Sequence, residues 1–404
     1  MMPADSITKY NMPHIQHKGN FILLATIGAL AILSSTLSKT PVLPLFAQHL
    51  GATAAEIGWI VMASTLPGIF ISFPAGAVAD RLGPRRLLIA SLLIFATAPW
   101  LYLGVTSPWE LMLVRFYHGF ATAIFGTVAT AAIAARYTQD RATRLSTFSS
   151  VTIVGRSVAP FLGGALISLA SFHMVYIACA VSGALALALS LWLPRDAPTA
   201  DASHTPHVGF RHSLTQVLRD RRIVITSLTE AAQYFVFGAV EAFLAVYAHH
   251  LGLAAWIIGI ILGAQLVSIV LIKPLMGGLS DRAGRKPVII GGLWIGALSV
   301  ALVPLTHTPA RLALLSLGFG LGFAAVTSST TALVSDLSRR GNLGSAIGVL
   351  HTVMDIGQSA GPAVTGLLIV AGGYTLAFGT LAGILLIASA GFAYGLRRAP
   401  TRPA

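Results

Sequence analysis

Apolar residues run in long stretches along this chain, and the stretches end wherever Gly, Pro and charged residues gather. From Phe21 to Leu396 the runs recur at a length of about 20 residues, enough for a helix rising ~1.5 Å per residue to cross ~30 Å of hydrocarbon. This pattern predicts twelve spans: Phe21–Gln48, Ala54–Val78, Leu87–Val105, Trp109–Ala135, Leu145–Leu169, Met174–Leu193, Ile223–Ala248, Ala254–Leu275, Pro287–Leu305, Arg311–Val334, Gly344–Val370 and Tyr374–Leu396. Residues 194–222 break the pattern with Asp, Ser, Thr, Pro, His and Arg, and predict a solvent-exposed linker with a short amphipathic helix near His212–Leu218. The organisation is a tail (1–20), a six-helix bundle (21–193), a linker (194–222), a second six-helix bundle (223–396) and a tail (397–404).

The second bundle repeats the first. Gly76-Ala77-Val78-Ala79-Asp80-Arg81-Leu82-Gly83-Pro84-Arg85-Arg86 returns 201 residues later as Gly277-Gly278-Leu279-Ser280-Asp281-Arg282-Ala283-Gly284-Arg285-Lys286. Each copy closes one apolar run and opens the next, which predicts a short loop between two spans. Gly83 and Gly284 suit a tight turn, and Asp80 and Asp281 suit an arginine partner or a helix N-terminus. Pro84 stands where the second copy has Arg285, so the first copy lacks one basic residue of the run.

Composition agrees with the pattern. Hydrophobic residues make up 55% of the chain and charged ones 10%, with a mean hydropathy of +0.80; a soluble domain is about 25% charged. Of the 26 Lys and Arg, 21 fall in the tails, the linker and the even-numbered loops. Basic residues are retained in cytoplasmic loops, which predicts cytoplasmic termini and a multi-pass protein of the cell's inner membrane. That placement also accounts for the net charge of +13 and excludes nucleic acid as the partner, because anionic lipid headgroups neighbour these charges. The single cysteine, Cys179, excludes an intramolecular disulfide and reads as a small buried residue. The N-terminal stretch lacks a cleavable signal pattern and reads as a retained tail.

Two further motifs lie within spans. The fourth carries Arg115-Phe116-Tyr117-His118-Gly119, and residues 115, 118, 119 and 122 share one helical face. A buried Arg is costly in lipid and faces protein or a water-filled cavity. The fifth carries Gly155-Arg156-Ser157-Val158-Ala159-Pro160-Phe161-Leu162-Gly163-Gly164, and the eleventh a counterpart, Gly357-Gln358-Ser359-Ala360-Gly361-Pro362. Small residues and proline predict close packing, here against the other half. Arg156 aligns with Gln358, so a cation stands on one side of the repeat only.

Over essentially its whole length the chain resembles the major facilitator superfamily, and within it the twelve-span drug:proton antiporter branch. The resemblance rests on the doubled loop motif, on an Arg-x-x-Gln-Gly-like motif with His118 in place of Gln, and on a Gly-x-x-x-Gly-Pro-x-x-Gly-Gly-like motif with Ala159 in place of Gly. It implies an all-α membrane protein, with twelve transmembrane helices in two pseudo-symmetric six-helix bundles. It further implies a gating latch made by Gly76, Asp80, Arg81 and Gly83, with Asp281 and Arg282 as the second copy. Arg115 is implied in proton coupling, and Gly155, Pro160, Gly163, Gly164, Gly361 and Pro362 in helix packing.

The ionisable residues away from span ends are divided between the halves. Lys39, Arg115 and Arg156 lie in the first half; Glu230, Glu241, Lys273 and Asp355 lie in the second. Glu230 and Glu241 share a face with Tyr234 and Phe237 between them, and His351, Asp355 and Gln358 share another. A cavity lined by both halves is expected, with Arg156, Lys39, His118, Tyr234, His351, Gln358 and Gln233 as substrate-binding candidates. A carboxylic acid buried away from water can hold and release a proton, so Glu230 and Asp355, then Glu241, are the coupling candidates. Some of these charges are expected to neutralise one another in static pairs. Drug antiporters commonly carry an acid in the first half; here Lys39 occupies the first span, which assigns proton handling to the second half.

The expected function is proton-coupled export of a small organic molecule by alternating access, driven by the proton gradient with no cofactor and no metal. The expected partners are the substrate, protons and the lipid bilayer, and the expected state is a monomer. Uptake of an organic anion or sugar by proton symport is the alternative within transport. A membrane enzyme or a non-transporting sensor is the alternative of another class, and no phosphate-cradling Gly-Lys-Ser/Thr loop supports ATP-driven pumping.

Overall fold

The computed structural model describes residues 12–71, 78, 82–137, 140–193, 219–338 and 343–396, and its elements are all helical. The first crossing is made by α1 (Met12–Leu37) and α2 (Val42–His49). Then come α3 (Ala54–Ala63), which resumes after a turn at Ser64–Thr65 and runs to residue 71, α4 (Pro84–Leu101), α5 (Pro108–Arg136), α6 (Arg141–Leu169) and α7 (Phe172–Ser190). The second half has α8 (Arg221–His250), α9 (Ala255–Ala283), α10 (Arg285–Leu302), α11 (Pro309–Leu337) and α12 (Leu343–Gly395). Among the described residues, eleven helices are long and apolar enough to cross a membrane. Exposed Leu, Ile and Val side chains line their outer faces, and all six tryptophans are exposed, as lipid requires of a protein whose polar groups point inward.

Local chemistry sets the ends. Thr53 with Glu56, and Ser107 with Glu110, form reciprocal capping boxes at the starts of α3 and α5. Gly83 and Gly284 hold φ of +86° and +91°, a conformation that costs other residues about 1–2 kcal/mol, and each turns the chain immediately before a helix.

Two details depart from the sequence reading. The first span is interrupted at Ser38–Pro41, because Pro41 offers no N–H and disfavours helical backbone at Thr40. The second copy of the loop motif is mostly helix: Gly277 to Ala283 form the last turns of α9, and Gly284 alone makes the turn. The last two spans follow one another within α12, whose backbone leaves the helix at Gly372 and Gly373, between the ends expected at Val370 and Tyr374. The first motif's Gly76, Asp80 and Arg81, the helix expected near His212–Leu218 and the tail beyond Leu396 lie outside the described residues.

Loops near residues 50–53, 105–107, 170–171, 251–254 and 306–308 share one side, termed the odd-loop side; Gly83, Asp140 and Gly284 mark the opposite, even-loop side. A single apolar core crosses between the halves toward the odd-loop side, joining Leu37, Val42, Phe46 and Ile57 to Val240, Phe243, Ile258 and Ile261. Toward the even-loop side the core divides. Phe21, Leu24, Leu88, Phe95 and Phe125 form one cluster in the first half, and Ile223, Val334, Ala346 and Leu350 another in the second. Among the described residues, the apolar core joins the halves at the odd-loop end and forms separate clusters toward the other.

Candidate functional site

The fused end is built from glycines and one ion pair. Gly164 of α6 packs against the Ala255 carbonyl and Gly259 of α9; Gly58 of α3 packs against the Pro362 carbonyl of α12, and Gly366 against that of Ala54. A β-carbon at any of these positions would collide with main chain, which a neighbouring side chain cannot relieve. The two pairings are the same contact made twice, once by each copy. Pro160 and Pro362 supply matching carbonyls, so the proline-glycine motif does pack against the opposite half. Gly163 abuts Val42, Gly155 the Ala29 carbonyl, and Gly361 the Phe235 carbonyl within its own half. Ser359 donates to Thr65 at 2.6 Å, carrying the α3–α12 contact toward mid-span.

Between these pairings, Lys39 Nζ lies 3.2 Å from Glu241 Oε2, and Thr40 Oγ1 donates to Glu241 Oε1 at 2.8 Å. Nearer the odd-loop surface, His249 Nδ1 meets Gln48 Oε1 at 3.0 Å. An open depression of about 770 Å³ beside this pair is lined by Gln48, His49, Ser168, Phe172, His249 and Trp256, away from the other ionisable residues of the spans. Thr40, Gln48 and His249 escaped the sequence reading as site residues. The interval of 201 residues that relates the loop motifs also relates these pairs, and was the available signal.

Arg115 and His118 do not line a cavity shared by the halves; both are buried within the first. Arg115 Nη1 donates to Ser38 Oγ at 3.1 Å and to the Tyr102 hydroxyl at 3.2 Å. That hydroxyl lies 3.2 Å from His118 Nδ1, and the Tyr102 ring stacks on Tyr176 at 4.3 Å. Both residues sit on the inward face of α5, where Gly119 lets the helix approach the Ser64 carbonyl of α3. Arg156 instead is exposed on α6, within electrostatic reach of Tyr234 and Glu241.

In the second half Glu230 is 2% exposed and its Oε2 has no hydrogen-bond partner. Gln233 is fully buried with both amide atoms unpartnered, and the hydroxyls of Ser227, Ser329 and Thr365 are likewise unpartnered. Lys273, exposed on α9, is the cation within electrostatic reach of Glu230. Tyr234 lies within reach of Glu230, Arg156 and Asp355, and His351 adjoins Asp355 on α12. Tyr234 packs edge-on against Phe323, and Gly238 packs against the Gln358 backbone carbonyl.

Among the described residues, the second copy of the loop motif makes its hydrogen bonds inside one half. Arg285 bonds Asp281 across the Gly284 turn and reaches Asp336 of α11 at 3.1 Å. Lys286 donates to the Ala393 carbonyl at 3.0 Å, and its counterpart Arg85 to the Leu191 carbonyl at 3.0 Å. These cations satisfy the last carbonyls of two helices, where the dipole favours them.

A family model described as the Major Facilitator Superfamily matches residues 24–264 and again 226–404. The chain belongs to the Major Facilitator Superfamily. Among its relatives in that superfamily, the multidrug resistance protein MdtG of Escherichia coli is 23% identical over 386 residues, covering 93% of this chain and 94% of MdtG. The crystal structure of the nucleoside transporter NupG has a TM-score of 0.80 at 19% identity, covering 94% of this chain and 100% of that one. A bacterial homolog of the human lysosomal transporter Spinster, in an inward-facing and occupied conformation, has a TM-score of 0.80 at 16% identity, with 96% and 99% covered. At these identities the two structures establish the fold. The chain is thus a membrane-embedded transporter of small molecules with the major facilitator architecture.

Proposed function

We propose that this transporter is proton-coupled and exports a drug or metabolite by antiport, alternating the access of a cavity between its two halves. The observation that carries the reading is the different state of its acids. Glu241 is neutralised by Lys39 and Thr40 across the interface, whereas Glu230 is buried with a free oxygen beside a fully unpartnered Gln233. An acid in that setting suits a transferable proton, and Asp355 with His351 supplies a second candidate. The export direction draws on the name of the relative MdtG.

On this reading α12 is two crossings hinged at Gly372–Gly373, giving twelve spans, and the basic even-loop side faces the cytoplasm of an inner-membrane protein. The fused odd-loop side is then the closed outer gate, and the conformation is inward-facing. The test is transport by the purified chain in proteoliposomes. Antiport predicts accumulation of a labelled drug under an outwardly directed proton gradient; accumulation only under an inwardly directed gradient overturns export. That second outcome belongs to symport of an organic anion, which the exposed cation Arg156 facing the second half favours.

A further inference from the structure

The first bundle contains a buried cation with no acid beside it. Arg115 is 4% exposed, and no carboxylate among the described residues forms a salt bridge with it. The acid gripped by the two residues that follow Ser38 is already matched, since Glu241 is taken by Lys39 and Thr40. An uncompensated charge at such depth is strongly unfavourable.

The hydrogen bonds around it define what is missing. Arg115 can only donate, so the Tyr102 oxygen accepts from Nη1; in the tautomer whose Nδ1 is the acceptor, His118 takes the Tyr102 O–H. The imidazole then carries its remaining proton on Nε2, where it is a donor. Arg115 Nε, His118 Nε2 and the Tyr176 hydroxyl are all buried and all without partners. Each belongs to a residue in direct contact with Tyr102. The cation's own Nε with two further unused groups beside it, and no carboxylate among the described residues salt-bridged to Arg115, are complementary to an anion rather than to a proton or a metal ion.

We propose that the first bundle holds a small anion, chloride or the carboxylate of a small organic acid, against Arg115, His118 and Tyr176. The site is independent of the export reading, and its test needs no transport. The purified full-length chain is titrated with radioactive chloride in a carboxylate-free zwitterionic buffer, with sulfate holding the ionic strength constant. The wild type is expected to bind saturably at one site. Arg115→Gln should weaken binding ~100-fold and Tyr176→Phe about tenfold, the range expected for losing charge-assisted hydrogen bonds. Tyr176→Phe removes one hydroxyl that has no protein partner, so it should melt no lower than the wild type in the chloride-free, carboxylate-free buffer and gain less from chloride. Saturable chloride binding displaced by benzoate supports a site that also takes organic carboxylates; saturable binding that benzoate leaves intact supports an inorganic anion. No saturable binding by the wild type, or unchanged binding in a folded Tyr176→Phe chain and in Arg115→Gln, overturns the site.

Discussion

Gln48 and His249 are 201 residues apart, the interval that separates the two loop motifs, and their side chains meet at 3.0 Å. Thr40 and Glu241, in contact at 2.8 Å, are separated by the same interval. A residue touches its own repeat mate only where the pseudo-twofold axis passes between them. Two such contacts along α2 and α8 therefore mark the axis at the odd-loop end, where any opening of that end must begin.

Lys39→Met is expected to loosen this end. Removing one partner of a buried pair strands the other charge, at a cost of 3–5 kcal/mol when burial is complete. The side chains here are 21% and 14% exposed, so screening by water reduces the expected loss to about 2 kcal/mol. Thermal unfolding in detergent measures it, and the exchange of Lys39→Glu with Glu241→Lys should recover at least half. A melting temperature unchanged by Lys39→Met would show that the pair contributes nothing.

Gly164→Val should hold the odd-loop end apart. Its side chain would enter the Ala255 carbonyl, and overpacking of this kind costs about 1–3 kcal/mol. The expected readout is faster labelling of a cysteine introduced at Ser168 by a membrane-impermeant maleimide, with transport reduced at least about tenfold. Cys179 is fully buried and supplies little background. Slow labelling with normal transport would mean that α6 and α9 tolerate the separation.

Glu230→Gln and Glu241→Gln should separate coupling from closure. The first is expected to abolish gradient-driven uptake while leaving substrate exchange across the liposome membrane within about threefold. The second removes a charge already matched by Lys39 and should impair both. Gradient-driven uptake that survives Glu230→Gln would transfer the coupling role to Asp355, whose Asn variant is the companion measurement.

Arg285→Ala should matter little for stability. Asp281 and Asp336 are 64% and 56% exposed, and ion pairs so exposed contribute at most about 1 kcal/mol, diminishing with salt. A larger loss that persists at high ionic strength would assign the arginine a packing role.

The spans were legible because hydrophobic length and loop charge act locally, and their signal survives whatever the helices pack against. The duplication was legible from two loop motifs. Less legible were the directions of individual side chains. Arg115 and Arg156 look alike as buried-span cations, yet one turns into its own bundle and the other toward the opposite half. Helix rotation sets that difference, and rotation follows from small-residue contacts such as Gly119 on Ser64 and Gly164 on Ala255, which a single sequence does not pair. The ends of the loop motif were misjudged for a related reason. Gly277 and Gly278 resemble a turn, but α9 continues through them and only Gly284 requires a positive φ.

The interruption of the first crossing joins two events that the halves would otherwise keep apart. Ser38 bonds Arg115 inside one bundle, and the next two residues, Lys39 and Thr40, grip Glu241 in the other. Three consecutive residues are constrained to shift together, so on the proposed anion site occupancy around Arg115 and closure of the odd-loop end are thermodynamically linked. By reciprocity, whatever factor an occupant at Arg115 applies to closure of that end, closure applies to the affinity at Arg115.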